Sequence, residues 1–160
     1  MSQMSDILEA NRGKLLGLAY RMLGCLSDAE DIVQEAYLKW HKQCPANIDN
    51  VAAWLTTVTT RLCIDKLRSR QKQASHYPGP WLPELLSEAE IQQMDSSQGA
   101  ELSEQLQVAF LLLLEALNPV ERAVFILRQA FDLQHSDIAA IVGKNVSNVR
   151  QIDVRAKRKI

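Results

Sequence analysis

The sequence lacks the features that mark exported and membrane-spanning proteins. No apolar stretch reaches the length of a membrane helix, and the opening residues, MSQMSDILEANR, have no basic start followed by the apolar core of a signal peptide. The three cysteines, Cys25, Cys44 and Cys63, are odd in number and have no CxxC spacing, which favours reduced thiols over disulfides. These absences predict a cytoplasmic protein that has no membrane segment and no metal site.

Motifs that carry catalytic chemistry are missing too. The chain has no nucleophile elbow, no phosphate-binding loop, no HExxH sequence and no convincing catalytic triad, and its three histidines are scattered. The segment from Tyr77 to Trp81 could line a pocket, although a rigid linker packed on a neighbour is a simpler interpretation. We therefore expect no enzymatic activity and no cofactor.

Charge is almost balanced over the whole chain but is unevenly distributed. The formal net charge is −1, yet residues 61–73 carry +4, residues 144–160 carry +5 and residues 84–104 carry −6. A solvated face is the usual explanation of any single charged run. Two basic runs at the ends of separate helical blocks instead indicate a shared polyanionic ligand.

Apolar residues at helical spacing are abundant, and they divide the chain into two blocks. In the first block, Gly24 ends one helix, a capping box from Ser27 to Glu30 opens a second, and a third starts near Val51 and continues into the basic run. Trp40 and Trp54 fall on the buried faces of these helices, so we interpret them as core residues, with base stacking as the alternative.

The second block starts near Ala100 after a segment in which three prolines fall within six residues. Asn118, Pro119 and Glu121 have the pattern of a helix start. The helix before it is expected to bury Leu102, Leu106, Ala109, Phe110, Leu113 and Leu117. The sequence thus predicts an all-α fold of two small helical domains, residues 1–75 and 101–160, joined by a Pro-containing acidic linker, residues 76–100, with room for a short helix at 84–94.

The last residues have the spacing of a helix-turn-helix. Ala139 supplies the small residue where two helices touch, and Gly143, four residues later, suits the positive φ of the tight turn. Val149 and Ile152 would pack the second helix back onto the first. Asn145 can cap that second helix.

The opposite face of the second helix is expected to be exposed, polar and basic. Arginine and glutamine form paired hydrogen bonds with the edges of guanine and adenine. An ordinary helical hairpin with a solvated basic end is the alternative. The predicted DNA-reading residues are Ser147, Arg150, Gln151, Val154, Arg155 and Arg158.

Longer strings resemble one protein family. LLGLAYRMLGCLSDAEDIVQEAYLKWHK, followed by AWLTTVTTRLCIDKLRSR, resembles the second conserved region of extracytoplasmic-function sigma factors, and LNPVERAVFILRQAFDLQHSDIAAIVGKNVSNVRQIDVRAKRKI resembles their fourth region. YPGPWLPE resembles the subgroup that carries a ketosteroid-isomerase-like, SnoaL-like domain after the fourth region. The sequence stops at Ile160, so that domain is expected to be absent, in either a truncated chain or a naturally short relative. Gln134 stands where members often have a Ser or Thr cap.

The resemblance implies a role for each surface. The second helix would dock on the β′ clamp helices of core RNA polymerase through Asp28, Asp31, Gln34 and Glu35, although acids in a first helical turn are also favourable by themselves. The third helix and loop 42–50 would read the minus-ten element. Its phosphate contacts would be made by Arg61, Lys66, Arg68 and Arg70.

The second domain would bind the polymerase β flap and read the minus-thirty-five element. Promoter DNA, core polymerase and a regulatory domain or anti-sigma factor are the partners that the resemblance implies. A stand-alone helix-turn-helix regulator is the competing interpretation. Such a regulator usually binds a palindrome as a dimer, and no heptad dimerisation helix is evident in the sequence.

Overall fold

The computed structural model describes residues 2–43, 50–74, 86–94 and 104–160, and these ranges contain helices and no strand. The predicted all-α fold is therefore confirmed. Most of the predicted linker and loop 44–49 lie outside the described residues. The helices are α1 (Ser2–Leu23), α2 (Leu26–Gln43), α3 (Val51–Ala74), α4 (Glu88–Gln92), α5 (Glu104–Leu114), α6 (Pro119–Gln129), α7 (His135–Val142) and α8 (Val146–Lys159).

Helices α1, α2 and α3 pack against one another and form the N-terminal unit. Gly24 ends α1 with a φ of 69°, a left-handed conformation that glycine adopts without a Cβ penalty. Helix α2 begins at Leu26, and the N–H of Ala29 donates to the carbonyl of Cys25 at 3.0 Å. Ser27 therefore lies in the first turn, and its predicted position at the helix cap is wrong.

Threonines contribute an unexpected part of the buried face of α3. Thr56, Thr59 and Thr60 are buried beside Leu55, which is fully buried. The hydroxyls of Thr56 and Thr60 donate at 2.8 Å to the carbonyls four residues earlier in the helix. These bonds satisfy two of the hydroxyls within the helix itself, so polar side chains can face the core there.

Helices α6, α7 and α8 form the C-terminal unit. Asn118 caps α6 as predicted: its side chain accepts from the N–H of Glu121 at 2.8 Å, and Glu121 returns an acceptor to the N–H of Asn118 at 3.0 Å. Pro119 occupies the first turn. This capping box confirms the helix start that the sequence predicted.

The predicted buried face of the helix before Asn118 is wrong in part. Leu117 is buried as predicted, but Leu113 is 46% exposed, and the buried residues include Leu111 and Leu114, which were not predicted. Ala109 is exposed and Phe110 half-buried, while Leu102 and the side chain of Leu106 lie outside the described part of the chain. The prediction assumed an unbroken helix up to Leu117, but α5 ends at Leu114 and the chain continues through tight turns, with the N–H of Leu117 donating to the carbonyl of Leu114 at 3.0 Å. Because the chain leaves the helix after Leu114, Leu117 no longer shares a helical face with Leu113, and it can be buried while Leu113 is exposed.

The two units share one continuous apolar core, and α3 packs against both α6 and α7. Short α4 lies near α1, since Met94 lies just beyond it and its Cβ is 3.7 Å from the position that a Cβ would take at Gly17. None of the described helices combines the length and the apolar character needed to cross a membrane.

Candidate nucleic-acid interface

Helices α7 and α8 are joined by the tight turn that the sequence predicted. Gly143 has a φ of 72°, and its N–H donates to the carbonyl of Ala139 at 3.0 Å. A Cβ at Gly143 would meet no atom within 4 Å, so glycine is favoured by backbone conformation and not by lack of space. The side chain of Asn145 accepts from the N–H of Asn148 at 2.8 Å and so caps α8.

The residues through which α7 and α8 touch are apolar and buried. Val149 is fully buried, and Ala139 and Ile152 are each 5% exposed. The helix-turn-helix therefore has the packing that the spacing predicted. Gln134, at the start of α7, makes no side-chain cap hydrogen bond, in agreement with the departure noted in the sequence.

All six predicted reading residues lie on the exposed side of α8, which is 14 residues long, or about 21 Å at about 1.5 Å per residue. They combine three arginines with hydrogen-bonding and small apolar groups. Val154 is 49% exposed at the centre of this face. We call these residues the recognition face: Ser147, Arg150, Gln151, Val154, Arg155 and Arg158. Its last five members line a shallow depression.

Glu121 anchors α8, the helix that carries the recognition face, from its inner side, and sequence reasoning did not foresee this contact. Nζ of Lys159, in the last turn of α8, lies 2.7 and 2.9 Å from the two carboxylate oxygens of Glu121. Burial works against ionisation of Glu121, but the hydrogen bonds from Lys159 and the Asn118 backbone, with Lys159 and Arg155 nearby, hold its pKa below the usual range. The pair is 38 residues apart in sequence, so no local pattern could have revealed it.

A second buried acid, Asp153, connects α7 and α8. Oδ2 of Asp153 lies 2.9 Å from Nε2 of His135 and 3.5 Å from Nζ of Lys157, and Asp153 is only 4% exposed. One feature of the sequence could have indicated these contacts. Asp153 lies on the same inward side of the helix as Val149 and Ile152, where an acid requires a partner.

The four basic residues predicted to hold minus-ten phosphates do not form one open surface. Nε of Arg61 donates to the carbonyl of Ile141 in α7 at 2.9 Å. Arg70 pairs with Asp28 and also donates to the carbonyl of Leu23 at 2.8 Å. Lys66 and Arg68 are exposed on α3. Two of the four side chains therefore make contacts within the protein in this structure.

The predicted docking surface on α2 is partly open. Asp31, Gln34 and Glu35 are exposed, whereas Asp28 pairs with Arg70 as described above. Leu38 is 52% exposed, and it lies three and four residues after Glu35 and Gln34, on the same side of the helix. Sequence reasoning missed this apolar side chain, although its place outside the buried stripe of α2 was a visible signal.

Trp40 and Trp54 pack on each other at the end of α2 and the start of α3. Their ring centroids are 5.2 Å apart with the planes at 69°, an edge-to-face contact. Trp40 is 6% exposed. This geometry agrees with the interpretation of both residues as part of the core.

Family models match both units in the expected order. The model described as Sigma-70 region 2 matches residues 7–73, and the model described as Sigma-70, region 4 matches residues 107–160. ECF RNA polymerase sigma factor SigJ of Mycobacterium tuberculosis is 37% identical over 152 residues, which cover 95% of this chain and 48% of SigJ. Probable ECF RNA polymerase sigma factor SigI of the same species is 35% identical over 159 residues, which cover 98% of this chain and 54% of SigI.

Two solved structures of sigma factors have folds similar to that of this chain. The crystal structure of Mycobacterium tuberculosis SigJ aligns with a TM-score of 0.70 at 32% identity, covering 97% of this chain and 52% of that one. Sigma factor RpoE from Bartonella quintana, crystallised with the anti-sigma factor NepR, aligns with a TM-score of 0.74 over 99% of this chain and 94% of that one, and its 20% identity shows a shared fold. The chain belongs to the sigma-70 family, in its extracytoplasmic-function group. It spans about half the length of the curated relatives SigJ and SigI.

Proposed function

We propose that this chain binds core RNA polymerase in the cytoplasm and directs promoter-specific initiation of transcription, with no enzymatic activity of its own. In this proposal residues 1–75 dock on polymerase and read the minus-ten element, residues 76–100 link the two domains, and residues 101–160 read the minus-thirty-five element. The observation that carries it is the exposed recognition face on a rigidly anchored helix, within a chain that also carries a sigma region 2.

The recognition face is suited to the major groove of DNA. Its helix has the length and diameter of a groove-reading element, and the major groove is about 12 Å wide. Arg150 and Gln151 lie at the middle of the exposed side and can form bidentate hydrogen bonds with guanine and adenine. Val154 beside them can contact a thymine methyl group. Because Glu121 and Asp153 fix the helix from its inner side, these side chains are presented without large reorganisation on binding.

Exposed cations on α3 support a phosphate-binding role for that helix. Lys66 and Arg68 are exposed within the run that carries a net charge of +4. Arg61 and Arg70 extend the same run, and each would exchange a contact within the protein for a phosphate oxygen. The proposed minus-ten surface therefore includes two residues that must be released before they can bind DNA.

The α2 surface fits a basic partner helix with an apolar contact at its centre. Asp31 and Glu35 supply negative charge, Gln34 a polar contact, and Leu38 an exposed apolar side chain. Complementary charge steers association, and a buried apolar anchor supplies much of the affinity of small interfaces. The β′ clamp helices are the proposed partner of this surface, and the β flap is the proposed partner of the C-terminal unit.

A protein partner that regulates the chain is a further part of the proposal. The structurally similar RpoE of Bartonella quintana was crystallised with the anti-sigma factor NepR. By analogy with that complex, we add an anti-sigma protein as a candidate partner of this chain.

The test is binding to core RNA polymerase without DNA, measured by competition with a labelled sigma factor. Gln34→Arg together with Glu35→Arg adds three positive charges to the docking surface. Asp65→Arg together with Ser69→Arg adds the same charge to exposed positions of α3, outside that surface. We expect the first pair to weaken binding by at least about tenfold, or about 1.4 kcal/mol, and the second pair to bind like the original chain.

Helix content measured by circular dichroism should be the same for both variants, because all four positions are exposed. Equal affinity of the two variants would remove the α2 surface from the interface. Absence of binding by the unmodified chain, combined with sequence-specific binding of duplex DNA, would instead favour a stand-alone regulator.

A further inference from the structure

A cleft between the two units brings together basic side chains from three parts of the chain. Its volume is about 320 Å³, at the lower end of the range found for small-molecule sites. Arg68 lines it from α3, Lys144 from the turn between α7 and α8, and Arg155 from α8. We call it the basic cleft. Its remaining lining residues are Gln71, Asn118, Pro119, Val120, Glu121 and Ile152.

The three cations of the basic cleft are not engaged by acids of the protein. Within the described ranges, Arg68, Lys144 and Arg155 form no hydrogen bond and no ion pair with another residue. Arg70, which closely follows Arg68 in α3, is paired with Asp28 instead. Cations that converge without a counter-charge repel one another, and an anion bound among them relieves that repulsion.

One acid also lines the basic cleft, but its charge is already compensated. Glu121 is 3% exposed, and Nζ of Lys159 lies 2.7 and 2.9 Å from its two carboxylate oxygens. The charges of Arg68, Lys144 and Arg155 therefore remain available to a ligand. A single phosphate group carries a charge of about −1.5 to −2 at neutral pH, so two linked phosphates match these cations more closely than one.

Apolar side chains also line the basic cleft. Pro119 and Ile152 are buried, and Val120 is half-buried. Small-molecule sites typically combine such an apolar lining with a few polar groups that fix the orientation of the ligand. A free phosphate would leave this lining in contact with water, whereas a ligand with an apolar body would cover it. The exposed amide of Gln71 can bond to a hydroxyl group of such a ligand.

We infer that the basic cleft is a binding site for a nucleoside diphosphate. Arg68, Lys144 and Arg155 hold the two phosphates through charge-assisted hydrogen bonds, and the apolar lining contacts the nucleoside. Binding requires neither polymerase nor promoter DNA. The site and the proposed function can therefore be tested separately, and the failure of one leaves the other standing.

Phosphates of duplex DNA are the alternative ligand of these cations, because Arg68 and Arg155 also belong to the proposed DNA surfaces. The apolar lining favours the smaller ligand. Contacts with a DNA backbone depend on charge and not on an apolar body, so they would leave the lining of the cleft without a role. A preference for a nucleotide over a bare diphosphate therefore distinguishes the two ligands.

Calorimetric titration of the full chain at physiological salt tests the site, with ADP, GDP, inorganic pyrophosphate and adenosine as probes. We expect at least one of the two nucleotides to bind with a Kd below about 100 µM. Pyrophosphate should bind at least about fivefold more weakly, because it leaves the apolar lining exposed to water. Adenosine should bind at least about tenfold more weakly than the nucleotide, because it offers no anion to the three cations.

Two matched pairs of variants locate the site. Lys144→Gln removes a cation of the basic cleft, and Lys39→Gln removes an exposed cation of α2, outside it. Gln71→Glu adds an acid to the cleft, and Gln73→Glu adds the same acid to the same helix at an exposed position outside the cleft. Because all four positions are exposed, circular dichroism should show the same helix content for every variant.

Each cleft variant should weaken nucleotide binding at least about fivefold, and each control less than about twofold. Failure of both ADP and GDP to bind would overturn the site. Equal affinities for nucleotide and pyrophosphate would overturn the nucleoside contact and favour a patch for DNA phosphates. Equal weakening by a cleft variant and its control would show a general effect of charge and would also overturn the site.

Discussion

The N-terminal and C-terminal units are stabilised in different ways. The N-terminal unit uses helices of 22, 18 and 24 residues, and α1 buries almost every side chain from Leu15 to Leu23. The C-terminal unit uses helices of 11, 8 and 14 residues and buries three charged groups, Glu121, Arg122 and Asp153. The first depends on apolar burial, and the second on caps and ion pairs that fix short helices at defined angles.

This difference in stabilisation follows from the lengths of the helices and from the proposed function. A long helix can bury enough apolar surface to be stable without a cap, whereas a helix of two or three turns leaves a large share of its backbone groups unsatisfied. Asn118 and Asn145 supply those missing acceptors in the C-terminal unit. Defined caps also fix the orientation of α8, which in the proposed function must present side chains to a groove accurately.

Leu16→Ala should cause the largest loss of stability, about 3–4 kcal/mol, because a fully buried leucine leaves a cavity in the N-terminal unit. Leu38→Ala is the matched control, since Leu38 is 52% exposed, and should change the free energy of unfolding by less than about 0.5 kcal/mol. Urea titration followed by tryptophan fluorescence measures both. Similar losses for the two variants would show that apolar burial does not dominate this unit.

Glu121→Gln should cost about 1–2 kcal/mol at neutral pH, since the amide can still cap α6 but loses the charge that faces Lys159. The ion pair and backbone bond lower the pKa of Glu121 from its ordinary value of 4.5. Its contribution is therefore complete above pH 4.5 and is lost as the pH falls through the lowered pKa of the folded state.

Urea titrations between about pH 7 and about pH 3 measure that pH dependence. The stability difference between the original chain and Glu121→Gln should shrink as the solution becomes acidic. Glu30→Gln, at an exposed position of α2, is the control for general charge effects. A difference that stays constant over the whole range would mean that the carboxylate charge of Glu121 contributes nothing to stability.

Asn118→Ala should cost about 1 kcal/mol through loss of the cap on α6. Gln134→Ala should stay within a few tenths of a kcal/mol, because Gln134 occupies the same place before α7 without a side-chain bond to it. Gln134→Ser should gain about 0.5 kcal/mol by supplying the missing acceptor. Thermal unfolding followed by circular dichroism orders the three variants, and equal effects of the two alanine substitutions would contradict the role assigned to caps.

Sequence reasoning was most accurate where structure is specified locally. Gly143 and the caps Asn118 and Asn145 act within four residues of themselves, so their pattern alone predicts the turn and the helix starts. The start of α2 at Leu26, one residue before the predicted cap, and the turns that follow Leu114 after the end of α5 are not marked by the spacing of apolar residues. Periodicity cannot show where a helix stops being regular.

Contacts between distant residues account for the rest of what the sequence left open. The partners of Arg61 and Arg122 are 80 and 100 residues away, and each partner is a backbone carbonyl, which carries no residue-specific signal. The exposed recognition face followed from the helical period, whereas its anchors at Glu121 and Asp153 did not. Predicting such contacts requires the packing of the whole chain.

Run-off transcription by core RNA polymerase and this chain, on a library randomised at both promoter elements, tests the proposed sigma-factor function. We expect transcription that selects sequences at both elements. Arg150→Ala and Gln151→Ala should each relax selection at the upstream element by about 1–3 kcal/mol and leave the minus-ten preference unchanged as an internal control. Failure to direct transcription, or unaltered upstream selection by both variants, would contradict it.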